Sequence, residues 1–109
     1  MNRGEVVEVD WLFTDMPGSK RRPAVVVQGD FLNGLIDDTI LVQITSTRHS
    51  IPGTEIILDP AVETASGLST ICVASCMNFT TFEQARVLRT IGVLSDAPMQ
   101  PIEECLKKV

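Results

Sequence analysis

Pro23-Ala24-Val25-Val26-Val27-Gln28 and Thr39-Ile40-Leu41-Val42-Gln43-Ile44-Thr45 are the two stretches that set the fold class. Each is short, rich in β-branched residues and nearly unbroken in apolar character, which is the pattern of a buried strand. Pro23 fits such a strand only at its start, where no ladder donor is required. Upstream, Glu5-Val6-Val7-Glu8-Val9-Asp10 alternates in part and predicts a first strand, followed by a loop over residues 14–21 that contains Pro17-Gly18. Downstream of the Asn33-Gly34 turn region (residues 31–38), Glu55-Ile56-Ile57-Leu58 predicts a short strand after the break at Ile51-Pro52-Gly53. Residues 69–77 predict a further strand, Thr80-Thr81-Phe82-Glu83 a turn or short helix, and residues 87–94 the last strand. Asp96-Ala97-Pro98 then starts a helix over residues 99–109, with Asp96 favourably placed toward the helix dipole. Six short strands joined by connections too brief for repeated crossover helices describe a mostly-β protein. The expected form is a small antiparallel barrel, closed against exposed edges, with a C-terminal helix.

At 109 residues the chain is expected to be a single domain, 1–109, with one core and no room for a separate cofactor domain. An apolar share of 44% and a charged share of 21% describe a folded globule rather than a disordered tail. Met1-Asn2-Arg3-Gly4-Glu5 is polar, and no stretch approaches the roughly 20 apolar residues of a membrane span. A soluble, cytoplasmic protein with no membrane association is expected. Cys72, Cys76 and Cys105 are an odd number without a secretory signal, which argues against a disulfide framework. Cys72 and Cys76 are four apart, a metal-holding spacing on a helix, but the local pattern is a strand and His49 is the one histidine. Buried thiols, no metal and no cofactor are the expectation. The net charge of −5 opposes nucleic-acid binding when taken over the whole chain. Its distribution matters more: Lys20-Arg21-Arg22 is a basic run, Arg48 lies beside His49, and much of the acid sits elsewhere. Three charges in a row most often make a solvated loop.

Three motifs in order carry a resemblance: Arg3-Gly4-Glu5-Val6-Val7-Glu8-Val9-Asp10, then Gly18-Ser19-Lys20-Arg21-Arg22-Pro23-Ala24-Val25-Val26-Val27, then Val42-Gln43-Ile44-Thr45-Ser46. With Gly67-Leu68 and Leu94-Ser95-Asp96 they resemble the MazF/PemK/Kid toxins of type II toxin–antitoxin systems over nearly the whole chain. The resemblance implies an SH3-like barrel, a homodimer, sequence-selective cleavage of single-stranded RNA and a cognate antitoxin partner. It places the family's two catalytic positions on Arg22 and Thr45. Around them, Gly18, Ser19, Lys20, Arg21, Ser46, Arg48 and His49 are the expected RNA-binding residues. The chain departs from relatives that carry Glu-Gln after the Gly-Ser of the first loop, and Ser75-Cys76 replaces a polar pair. Arg21 is therefore a candidate to share the role of Arg22.

Those residue types suit the chemistry on their own account. RNA carries its own nucleophile, the 2′-hydroxyl, so a protein need only orient it, move protons and stabilise the charged phosphorane, with no metal. A guanidinium presents a planar fork of donors to phosphate oxygens and keeps its charge. A threonine hydroxyl can donate to the phosphate or orient the attacking oxygen. His49 is a candidate proton carrier. Trp11 and Phe13 are candidates to stack on bases or to plug the barrel end. Two other functions compete: a gyrase-poisoning toxin of the same fold, whose branch depends on a Trp-Gly-containing C-terminus where this chain ends Leu106-Lys107-Lys108-Val109, and a non-catalytic SH3-like interaction module.

Overall fold

The computed structural model describes residues 1–12, 17–47, 51 and 53–109. Six strands form one curled sheet: β1 (Glu5–Leu12), β2 (Ser19–Val26), β3 (Asp38–Thr45), β4 (Glu55–Leu58), β5 (Cys72–Glu83) and β6 (Arg89–Val93). Their order is β4-β5-β3-β2-β1-β6, and every pairing is antiparallel. Helix α1 (Asp30–Leu35) joins β2 to β3, and α2 (Asp96–Leu106) closes the chain against β4 and β5. The barrel is thus a half-barrel, with β4 and β6 as its two ends and α2 laid over one of them.

The sheet is buried on both faces at its centre, which is why Ala24, Val25 and Val26 are all inaccessible and no two-residue alternation shows in that run. One face (Val6, Val25, Val42, Ile44, Ala74 and Cys76) packs against Met99, Ile102 and Cys105 of α2. The other (Val7, Val9, Ala24, Val26 and Leu41) is covered by Trp11, Phe82 and Val87. The curl comes from β5. Val42 pairs with Phe79 while the next β3 residue, Gln43, pairs with Ser75, so Cys76, Met77 and Asn78 have no partner on β3 and one strand turns a corner there.

Four sequence expectations change. Strand β2 begins at Ser19, so Lys20 and Arg21 are strand residues paired with Trp11 and Asp10 rather than members of a loop. Strand β5 runs on to Glu83, where a turn was expected, and the short 3-10 turn follows at Gln84–Arg86. The turn region after Gln28 holds helix α1. Its buried residue is polar: the Asn33 amide accepts from Gln28 Nε2 at 2.9 Å and from the Thr39 hydroxyl at 2.7 Å, and it donates to the Gln28 carbonyl at 2.9 Å. The last helix starts at Asp96, three residues earlier than its periodicity suggested.

Gly67 and Gly92 let the loop before β5 lie directly on β6. A Cβ on Gly92 would sit 2.2 Å from the Ser66 carbonyl carbon, and one on Gly67 would sit 2.1 Å from the Ile91 oxygen. The same loop supplies Glu63, whose buried carboxylate accepts both the backbone N–H and the hydroxyl of Ser95, each at 2.7 Å, at the start of α2. That satisfies a helix-terminal donor from outside the helix. Glu63→Ala is expected to lower the unfolding free energy by about 2 kcal/mol, because the Ser95 donors lose a charged acceptor; denaturant titration checks it.

Candidate phosphate-binding cleft

The decisive local feature is what Pro23 does to β2. Just past the strand, the Val27 N–H donates to the Ile40 carbonyl at 3.0 Å, while the Val26 carbonyl accepts from the Gly4 N–H at 2.8 Å. Backbone groups alternate direction along a strand. Residues 27, 25 and 23 therefore address β3, and 26, 24 and 22 address β1. Continued, the β2–β3 register of Val26↔Leu41, Val25↔Val42 and Ala24↔Gln43 would bring Pro23 opposite Ile44. Proline has no N–H to give the Ile44 carbonyl. The β2–β3 ladder stops at Ala24↔Gln43, whereas β2 stays paired with β1 as far as Ser19↔Leu12.

Where β2 and β3 part, a cleft of about 580 Å³ opens. Continuing the same register by one more residue sets Arg22 opposite Thr45, and both line the cleft together with Arg21, Ser46, Glu8 and Arg89. Its deeper wall is Pro23, Ile44, Leu68 and Cys72. Arg21 and Arg22 belong to opposite faces of the sheet by strand alternation, and both reach the cleft because it opens at the split edge. Thr45 is buried, and its hydroxyl oxygen accepts the Thr47 N–H at 3.1 Å, leaving its hydrogen to donate. Arg22 is half-buried and makes no ion pair with another described residue. Arg21 and Arg89 both pair through Nε with Oε1 of Glu8, at 3.9 and 3.2 Å. Three guanidiniums and one carboxylate are the charged groups among the described lining residues. That is an arrangement for a polyanion.

The structure brings together Arg21, Arg22, Thr45 and Ser46 of the expected site. Gly18, Ser19 and Lys20 do not line the cleft; Gly18 takes a turn conformation with φ of 108°, and Ser19 and Lys20 lie exposed at the far end of β2. Arg48 and His49, and Phe13, lie outside the described residues. Trp11 packs on the second core cluster and also lines a separate hollow of about 370 Å³ with Leu12, Met77, Phe79 and Phe82. There the Arg86 guanidinium sits over the Phe82 ring, 5.3 Å from its centroid. Cys72 and Cys76 share one face of β5 inside the core, as expected of buried thiols. Burial, and then Cys105 beside it, pushes the Cys76 thiol above its usual range. Glu8 and Arg89 were not singled out from sequence. Their signal is the register that pairs them across β1 and β6, and register is not visible in a single chain.

The comparisons with known proteins fall on this same fold. Residues 2–109 match the family model for the PemK-like, MazF-like toxin of type II toxin–antitoxin systems. The chain belongs to that family. Among solved structures it is similar to an endoribonuclease in complex with its cognate antitoxin from a mycobacterial species, at 21% identity and a TM-score of 0.77, covering 99% of this chain and 92% of that one. It is also similar to the Mycobacterium tuberculosis toxin MazF-mt6, at 22% identity and a TM-score of 0.72 over 94% and 93% of the two chains. A MazE–MazF structure from Deinococcus radiodurans matches at 19% identity and a TM-score of 0.74 over 99% and 94%. The half-barrel with its C-terminal helix is therefore the MazF-like fold.

The donor missing at Pro23 can be restored by substitution. Pro23→Ala restores a donor opposite Ile44, so its amide should exchange with solvent slowly, as a ladder N–H does. Stability should change by less than about 1 kcal/mol, since the gained hydrogen bond offsets the lost rigidity of the unfolded chain. A residue-23 amide that exchanges at the rate of an open loop would refute it.

Proposed function

We propose that this chain is the toxin of a toxin–antitoxin pair acting in the cytoplasm as a metal-independent endoribonuclease on single-stranded RNA. The observation that carries this reading is that Arg22 and Thr45 line one cleft, at the point where the β2–β3 ladder ends beside Pro23. A phosphate in that cleft meets a guanidinium without a competing carboxylate and a hydroxyl with a hydrogen to donate. The 2′-oxygen of the preceding ribose attacks phosphorus and loses its proton, the bond from phosphorus to the 5′-oxygen breaks, and that oxygen gains a proton. The products are a 2′,3′-cyclic phosphate and a 5′-hydroxyl. Arg22 stabilises the charge that builds on the non-bridging oxygens, and Thr45 donates to one of them and fixes the geometry of attack. Glu8 is the one carboxylate among the described lining residues and is ion-paired to two arginines, which leaves it poorly placed as a metal ligand. Ser46, and by sequence Arg48 and His49, extend the RNA path, with Gly18, Ser19 and Lys20 at its outer end.

A homodimer and a cognate antitoxin belong to the same reading. One chain by itself holds both a core and a cleft, so shortage of core is not the reason to dimerise. The support is apolar surface: Leu12, Met77 and Phe79 are each more than half exposed around the aromatic hollow, which suits burial against protein. Sedimentation at micromolar concentration should show a dimer, and an active monomer would contradict that part.

Arg22→Ala should lower the cleavage rate about 10²–10³-fold, the usual effect of removing one preorganised donor, with little change in unfolding. Thr45→Ala should lower it less. Incubation with a long RNA in EDTA is expected to give discrete fragments ending in cyclic phosphate, and a 2′-deoxy residue before the scissile phosphate should block cutting while binding persists. Intact RNA together with a supercoiling defect would favour the gyrase-poisoning alternative, and intact RNA with no enzymatic effect an interaction module.

A further inference from the structure

We infer that Arg89 is a further RNA-binding residue of the cleft, taking a phosphate beside the one at Arg22, and that Glu8 is its positioning residue. This rests on the reading of the cleft as a single-stranded RNA site. Arg89 stands on β6, directly paired with Glu8 on β1, and lines the cleft with it. Its Nε donates to Glu8 Oε1 at 3.2 Å, and Arg21 approaches the same oxygen from β2 through its own Nε at 3.9 Å. One carboxylate oxygen thus hydrogen-bonds the Arg89 guanidinium by its inner edge and lies within ion-pair distance of the Arg21 guanidinium.

The consequence lies in which edge is used. A guanidinium has five donors, and its two terminal nitrogens form the fork that matches two phosphate oxygens. Among the described residues, neither Arg21 nor Arg89 spends that fork on a protein acceptor. Glu8 therefore limits the swing of Arg89 and leaves its phosphate-binding edge open. Glu8 is itself mostly shielded, at 21% side-chain exposure, while Arg89 is 68% exposed, so the holding group is fixed and the held group is accessible. With Arg21, Arg22 and Arg89 against Glu8, the cleft carries three positive charges and one negative, a net of +2 in a chain whose net charge is −5. A flexible polyanion needs more than one contact to be held in register, and contacts to neighbouring phosphates supply position rather than chemistry.

The test is the anisotropy of a labelled single-stranded RNA titrated with protein at several salt concentrations, with a 2′-deoxy residue at the cut position if the parental protein cuts. Arg89→Ala should weaken binding about tenfold at low salt and reduce the slope of log affinity against log salt by about 0.7, one phosphate contact on a single strand. Arg89→Lys should recover the slope and only part of the affinity, since it keeps the charge and loses the fork. The single-turnover rate at saturating protein should stay within about threefold of parental, which separates binding from chemistry. Glu8→Gln should change affinity less in the Arg89→Ala background than in the parental protein. Parental affinity and slope in a folded Arg89→Ala variant would overturn the inference, and equal Glu8→Gln effects in both backgrounds would overturn the positioning role. If the parental protein binds RNA without cutting it, the nuclease reading falls and Arg89 is still judged by binding. Absence of any RNA binding by the parental protein removes both.

Discussion

A hydrogen bond that cannot form governs this structure: Pro23 has no N–H to offer the Ile44 carbonyl. Proline inside a sheet normally ends its strand, because a missing donor disrupts the ladder. Here strand alternation directs the missing donor toward β3 alone, so β2 keeps its partnership with β1 as far as Ser19 while its other edge comes free. The arm of residues 19–23 stays paired with β1, while the β2–β3 ladder goes no further than Ala24↔Gln43 because Pro23 has no donor to give β3. A strand held along one edge and open along the other suits a preorganised anion site, since donors that are already fixed need no reorganisation when charge arrives. The Arg-Pro dipeptide thus places a guanidinium beside the opening that its proline makes, which is how the proposed nuclease site would be built.

Charge is organised on the same scale. An acidic chain would repel RNA if its charge were spread evenly, and interactions beyond about 8–10 Å are screened at physiological salt. On the proposed reading, what an RNA phosphate would meet in the cleft is local: Arg21, Arg22 and Arg89 with a single carboxylate near two of them. Most of the acidic residues are elsewhere; Glu63 is turned inward to cap α2 and Glu103 pairs with Arg3. The remaining negative surface disfavours nonspecific retention of nucleic acid away from the cleft.

Much of the fold was legible because it depends on short-range pattern. Strand β4 falls where Glu55-Ile56-Ile57-Leu58 suggested, and β1 and β3 differ from expectation only at their ends. Helix α1 was missed because it docks through a polar residue, Asn33, satisfied by Gln28 and Thr39, and so shows no apolar stripe. The extension of β5 was missed because Thr80 and Thr81 look like turn residues until Leu41 and Ile40 lie beside them. Among the residues that line the cleft, family motifs point to Arg22 and Thr45 in the sequence, and the basic run points to Arg21. Glu8 and Arg89 are far apart in sequence and meet only through the β1–β6 register, which no periodicity encodes. In the sequence Pro23 suits the start of a strand, whereas in the structure it sits inside β2 and its effect comes from there.

The most direct measurement is a crystal structure of the protein bound to a short single-stranded RNA made uncleavable by 2′-deoxy substitution. The account predicts a phosphate between β2 and β3, with the Arg22 guanidinium and the Thr45 hydroxyl both within hydrogen-bonding distance of its oxygens. RNA bound only across the aromatic hollow of Trp11, Phe79 and Phe82, with no phosphate in the cleft beside Pro23, would contradict it.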